Sequence, residues 1–200
     1  RAVYTRCMKE KLEKFREIVK TNNARPDFVY RDWMFEHHLE IVHRIAMELC
    51  DIYTDADRDI VEALVWFRDF GKPLDEENER PVTRTQGPKV MSECGFAEDF
   101  IAKVLEYWEL MEKKNEIDIR TTPLEVQIIS TADGCSHFVG MFYPSFFGDG
   151  DSLDVTREHL SKKIEVDWNR KIVLPEAREA FQDRYERAKE LIGQYPQTFI

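Results

Sequence analysis

Residues 58–73 read RDIVEALVWFRDFGKP, and this stretch decides the fold. From Ile60 to Phe67 nearly every side chain is apolar, on all sides of a helix rather than along one stripe. A helix that is apolar all round is buried all round. Residues 58 to about 70 therefore predict the central helix. Thr54-Asp55-Ala56-Asp57 ahead of it supplies acidic N-capping groups. Gly71 suits the C-cap.

Working outward, the periodicity stays helical. Residues 2–20 place Val3, Cys7, Leu12, Phe15, Ile18 and Val19 on one stripe, and Asn22-Asn23 and Pro26 end it. Residues 31–50 repeat the pattern through Met34, His38, Ile41, Val42, Ile45, Ala46 and Leu49. Residues 71–84 form a polar, Pro-bearing loop, followed by helices over 85–94 and 97–113 broken at Gly95. Pro123 fits the first turn of a helix from Leu124 to about Gly140. An aromatic, Gly-rich loop over 141–152 precedes two closing helices, 154–167 and 175–194. No run alternates as a strand does, and no repeat or linker divides the chain. The expectation is an all-α fold, a single compact multi-helix domain spanning 1–200.

The 200 residues are 42% hydrophobic and 34% charged, enough for a core under a charged surface. Thirty-nine acids against 29 bases leave a formal charge of −10. That speaks against duplex nucleic acid and against a polybasic membrane anchor, but one cationic pocket can still hold a nucleotide. No stretch approaches the roughly 18 apolar residues of a membrane helix. The opening residues lack the basic and apolar regions of a secretory leader, and the start at Arg1 rather than Met leaves room for a preceding segment. Cys7, Cys50, Cys94 and Cys135 are dispersed without a C-x-x-C pair, which suggests free thiols and a cytoplasmic setting.

Three local patterns carry candidate chemistry. His38 shares a helix face with Val42 and Ala46 and so looks inward, as a core histidine or as a ligand, whereas His37 and His43 lie on more solvated faces. Arg68-Asp69 ends a strongly apolar helix, either as a surface C-terminus or as a buried pair that needs partners. Asp133 sits in Ser130-Thr131-Ala132-Asp133-Gly134-Cys135-Ser136-His137, where small neighbours admit another group, and it can hydrogen-bond His137 at i, i+4. The acidic run Asp75–Glu79 reads most simply as a solvated loop, with a lid beside a pocket as the alternative. Tyr107-Trp108 reads as core. Asp149-Gly150-Asp151 is a faint calcium-loop pattern.

Together, H-x-x-x-V-x-x-x-A from His38, W-x-x-D-F-G-K-P from Trp66 and T-A-D-G from Thr131 resemble the HD-domain metal-dependent phosphohydrolase superfamily. The resemblance covers roughly residues 30–140, and residues 162–177 resemble the C-terminal part of small HD proteins. It implies a helical domain in which His38, Asp69 and Asp133 hold a divalent metal. Imidazole with carboxylate suits Zn, Mn, Fe, Ni or Co, and carboxylate with water suits Mg. Asp69 would also position the metal-bound water, whose lowered pKa makes it a nucleophile. Lys72 matches the lysine of D-x-G-K and would sit near substrate phosphate, as would Arg68. The implied partner is a phosphorylated small molecule or nucleotide, and the implied reaction is phosphoester hydrolysis.

The chain departs from the family at Arg68, where the pattern has His. A guanidinium offers donors only and cannot ligate a cation. No His occurs between residues 70 and 130, so the extra ligands of two-metal members are missing. Two outcomes follow. Arg68 swings outward and leaves a three-ligand site, or it takes the metal's place between Asp69 and Asp133. The second outcome fits an impaired HD-like protein that binds a phosphorylated ligand or a protein partner without turnover.

Overall fold

The computed structural model describes residues 2–113, 115–140, 142–148, 152–193 and 198. Among them the secondary structure is all helix and turn, with no strand. The helices are α1 (Ala2–Asn23), α2 (Glu40–Ile52), α3 (Arg58–Phe67), α4 (Glu79–Glu93), α5 (Glu98–Glu112), α6 (Leu124–Ser136), the short α7 (Phe142–Ser145), α8 (Leu153–Val166) and α9 (Pro175–Ile192). Two wider π-helical segments, Phe35–Leu39 and Asp167–Lys171, lead into α2 and follow α8. None of these helices is long and apolar enough to cross a membrane.

Helix α3 is central, as its all-round apolar surface requires. Asp57 starts it by accepting hydrogen bonds from the backbone N–H groups of Asp59 and Ile60. Ile60, Val61 and Ala63–Phe67 are buried, packed between α1, α2, α5 and α6. Apart from Ile119, the buried apolar side chains among the described residues form one contiguous core. On α1 the stripe is shifted: Met8, Leu12, Phe15 and Val19 are buried, whereas Cys7 is exposed. All four cysteines are free thiols.

Several boundaries differ from those the sequence suggests. Helix α3 stops at Phe67, and Arg68–Leu74 form successive tight turns. Gly71 is not a C-cap in the left-handed region; it permits close approach. A Cβ there would lie 2.2 Å from the Glu79 carbonyl oxygen, and its N–H donates to Thr83 Oγ1 at 2.9 Å. Helix α4 starts at Glu79 rather than near residue 85. Pro81 reads as a loop residue, but it falls in the first turn, where a missing N–H costs nothing. Gly95 breaks α4 from α5 with φ +89°.

Candidate functional site

The two π-helical segments and α6 bring the chemistry together. A π turn projects side chains off the α-helical spacing and is frequent at functional sites. The first carries His38, the second Asp167 and Lys171. Helix α6 supplies Asp133, Ser136 and, just past its end, His137. Gly134 makes this assembly fit, because a Cβ there would lie 2.8 Å from Ile172 Cγ1 and 3.0 Å from Lys171 Cβ. Ser130 and Thr131 hydroxyls donate to the Lys171 carbonyl at 3.2 and 3.4 Å, and Val173 N–H donates to Thr131 Oγ1 at 3.2 Å.

At the centre lies Arg68. Its Nη2 is 2.6 Å from Asp133 Oδ1 and 2.9 Å from Asp69 Oδ2. Its Nη1 is 3.3 Å from His38 Nε2. Arginine only donates, so His38 Nε2 accepts. The other ring nitrogen, Nδ1, then carries the proton and donates to Ser136 Oγ at 3.0 Å, whose hydroxyl in turn donates to the Asp133 carbonyl at 2.7 Å. Burial, then the adjacent Arg68 charge, holds His38 well below its ordinary value, which keeps the ring neutral.

The far side of the cluster is closed. Lys171 Nζ lies 2.9 Å from Asp133 Oδ2 and 2.9 Å from Asp167 Oδ1. Asp167 Oδ2 meets His137 Nδ1 at 2.8 Å, the Tyr143 hydroxyl at 3.0 Å and Lys163 Nζ at 3.5 Å. His137 Nε2 faces Asp133 Oδ1 at 3.4 Å. Phe142 covers His137, its ring stacked 3.6 Å away at 9°. Burial alone would push Asp133 up; Arg68 and Lys171 outweigh it and hold the carboxyl well below the usual range. Asp167 is likewise lowered against burial, by Lys171 and His137. Burial would lower Lys171, but the two aspartates keep it raised. Three carboxylates (Asp69, Asp133, Asp167) thus face three cations (Arg68, Lys163, Lys171) within ion-pair range.

The near side opens into a cavity of about 230 Å³. Arg68, Lys72, Arg80 and Lys171 line it, opposed by Asp69, Glu79, Glu112 and Asp133, with Met111 and Ser130 between. Lys72 holds its ammonium 5.2 Å from the Tyr30 ring centroid. Glu79 ends the acidic run but turns inward; Asp75–Asn78 stay exposed. Burial, then the nearby Asp69 charge, pushes Glu79 up to about 7.

All five residues singled out in the sequence, His38, Arg68, Asp69, Lys72 and Asp133, meet at this place. His38 Nε2 is 3.9 Å from Asp69 Oδ2 and 3.6 Å from Asp133 Oδ1. His43 is less solvated than its face suggests; its ring packs 4.9 Å from Trp66. Trp108 is core, as expected, and donates its indole N–H to the Arg68 carbonyl at 3.1 Å. Asp167, Lys171 and Tyr143 carry no local signal of a site, whereas Glu79 belongs to the acidic run whose alternative reading is a lid beside a pocket. His137 is legible as a partner of Asp133 from its i, i+4 spacing. The Asp149-Gly150-Asp151 pattern lies outside the described residues.

His38, Asp133 and His137 are buried, and their ligand atoms lie within 4.8 Å of one another, so the set could hold a metal ion. Arg68 engages the same Asp133 oxygen and the same His38 nitrogen. An ion and the guanidinium therefore compete for one set of donors, and with Arg68 in place the residues do not fit a metal. The carboxylates are already matched by cations, which removes the charge that would attract one. No family model, no curated protein and no solved structure matches the chain.

Proposed function

We propose that this chain is an HD-type helical domain in which Arg68 stands where the family holds its metal, and that it binds a phosphorylated small molecule without metal-dependent turnover. The observation that carries this reading is the guanidinium seated between Asp69 and Asp133 and against His38. Its charge is permanent and its fork matches carboxylate geometry, so it does a cation's structural work with no exchange. Beside it, Lys72 and Arg80 reach the cavity. Both can meet phosphate oxygens that a family enzyme would meet with metal and lysine. Lys72 rests its ammonium against the Tyr30 ring, within electrostatic reach of Asp69 and Glu79.

A second reading, metal-dependent phosphoester hydrolysis, is favoured by the spacing of His38, Asp133 and His137. It requires Arg68 to leave. His38 and Asp133, with Asp69 or His137, would then hold the ion, which supplies a water of lowered pKa.

Calorimetry with inorganic phosphate in the presence of chelator, set beside a hydrolysis assay on a nucleotide panel with Mn, Co, Ni and Mg, separates the two. The expected result is phosphate binding, no turnover, and a divalent-metal affinity that rises at least about tenfold in Arg68→His, as restoring one good ligand should do. Near-stoichiometric metal in the purified wild type, with turnover lost in Asp69→Ala, would overturn the reading.

A further inference from the structure

The cavity beside Arg68 differs from a nucleotide pocket in size, lining and charge. Its volume of about 230 Å³ falls below the roughly 300–1,000 Å³ of sites that enclose drug-sized ligands. Among the described residues no aromatic side chain lines it, and Met111 is the one apolar residue that does. A nucleobase gains most of its binding from stacking on a ring or from an apolar slot, and this lining gives neither.

The acids add a second constraint. Glu79 and Glu112 face the same space as Lys72 and Arg80. A cavity built for a polyanion would carry cations alone, because an ionised carboxylate in the wall repels phosphate, as Glu79 does once it loses its proton. Carboxylates interleaved with cations, as in the Arg80–Glu112 contact, suit a ligand that carries an anion and several hydrogen-bond donors close together. Hydroxyl groups are such donors, and a carboxylate accepts from two of them at once. Ser130 adds a polar contact on the same wall, although its hydroxyl hydrogen is given to the Lys171 carbonyl.

We propose that the ligand is a small phosphomonoester of a hydroxylated carbon skeleton, a sugar or polyol phosphate, with its phosphate at Lys72 and Arg80 and its hydroxyls at Glu79 and Glu112. This rests on the phosphate-binding reading above and narrows it. Arg80 also pairs with Glu112 across the mouth. The ligand therefore enters by opening that pair, in which Arg80 is exposed and Glu112 half-buried.

The test is calorimetric titration of the full chain, in chelator, with inorganic phosphate, ribose 5-phosphate and adenosine 5′-monophosphate. Ribose 5-phosphate should bind about tenfold tighter than inorganic phosphate, the worth of one or two added hydrogen bonds to charged acceptors. It should also bind tighter than adenosine 5′-monophosphate. Glu112→Ala should bring ribose 5-phosphate down to the affinity of inorganic phosphate. If inorganic phosphate binds but the nucleotide equals or exceeds the sugar phosphate, the narrowing fails and the phosphate reading stands. If none of the three binds at millimolar concentration, the phosphate reading fails and takes this inference with it.

Discussion

Helices α3 and α6 lie side by side, both almost wholly buried, and they solve burial in opposite ways. Helix α3 buries hydrocarbon: Ile60, Val61, Ala63, Leu64, Val65, Trp66 and Phe67. Helix α6 buries Ser130, Thr131, Asp133 and Ser136 among its apolar residues. For α3, any apolar neighbour of the right shape suffices, because the hydrophobic effect has no direction. For α6, each polar group needs one particular partner at about 3 Å, or it costs more than it gives. The lesson is that equal burial does not mean equal specification. The apolar helix fixes where the core is, whereas the polar helix fixes which distant residues must come to it.

Phe67→Ala should break the apolar side hardest, costing about 4 kcal/mol by the usual toll of a large buried cavity. Urea unfolding reads it, and the loss should be the same at pH 5 and pH 8. Lys171→Met should cost nearly as much, about 3–4 kcal/mol, by leaving Asp133 and Asp167 short of a cation. Here the loss should shrink at pH 5, since uncompensated carboxylates can take up a proton. A Lys171→Met penalty independent of pH would erase the contrast between the two helices.

Glu79→Gln sharpens the comparison at the cluster's open edge. Glu79 is pushed from its ordinary 4.5 up to about 7. Between those values the folded protein keeps a proton that the unfolded chain releases, so folding stability falls as pH rises through that window. Glutamine cannot ionise and loses this slope. Relative to wild type, the variant should gain about 2 kcal/mol on moving from pH 5 to pH 8, measured by urea midpoints at each pH. Equal slopes would place Glu79 in solvent. The smallest effect belongs to Gly134→Ala, which presses a methyl on Ile172 and Lys171. It should cost about 1–2 kcal/mol, with the shift confined in hydrogen exchange to α6 and residues 167–173.

Legibility divided along the same line. Helix α3 was readable because periodicity and apolar content are local properties of a few turns. So was the inward face of His38, set by Val42 and Ala46 one and two turns on. Asp133 stood out by being acidic among small, apolar neighbours. Lys171 and Asp167 did not, since KIEVDWNRK reads as an ordinary charged helix end. They are buried on a π-helical segment, whose wider turn departs from the spacing that helical periodicity reads. The start of α4 at Glu79 is hidden in the sequence because Pro81 signals a break and a first turn equally well.

By itself, then, the sequence determined the all-helical class, the central place of α3, and the set His38, Arg68, Asp69, Lys72 and Asp133. It left open whether Arg68 turns out or in. The tertiary structure decided that. It set the guanidinium between two carboxylates, and it brought Lys171 to Asp133 across 38 residues and Ser136 to His38 across 98. The reason is physical. Helix formation depends on neighbours three and four residues away, whereas an ion pair depends on distance through space, and only packing sets that distance.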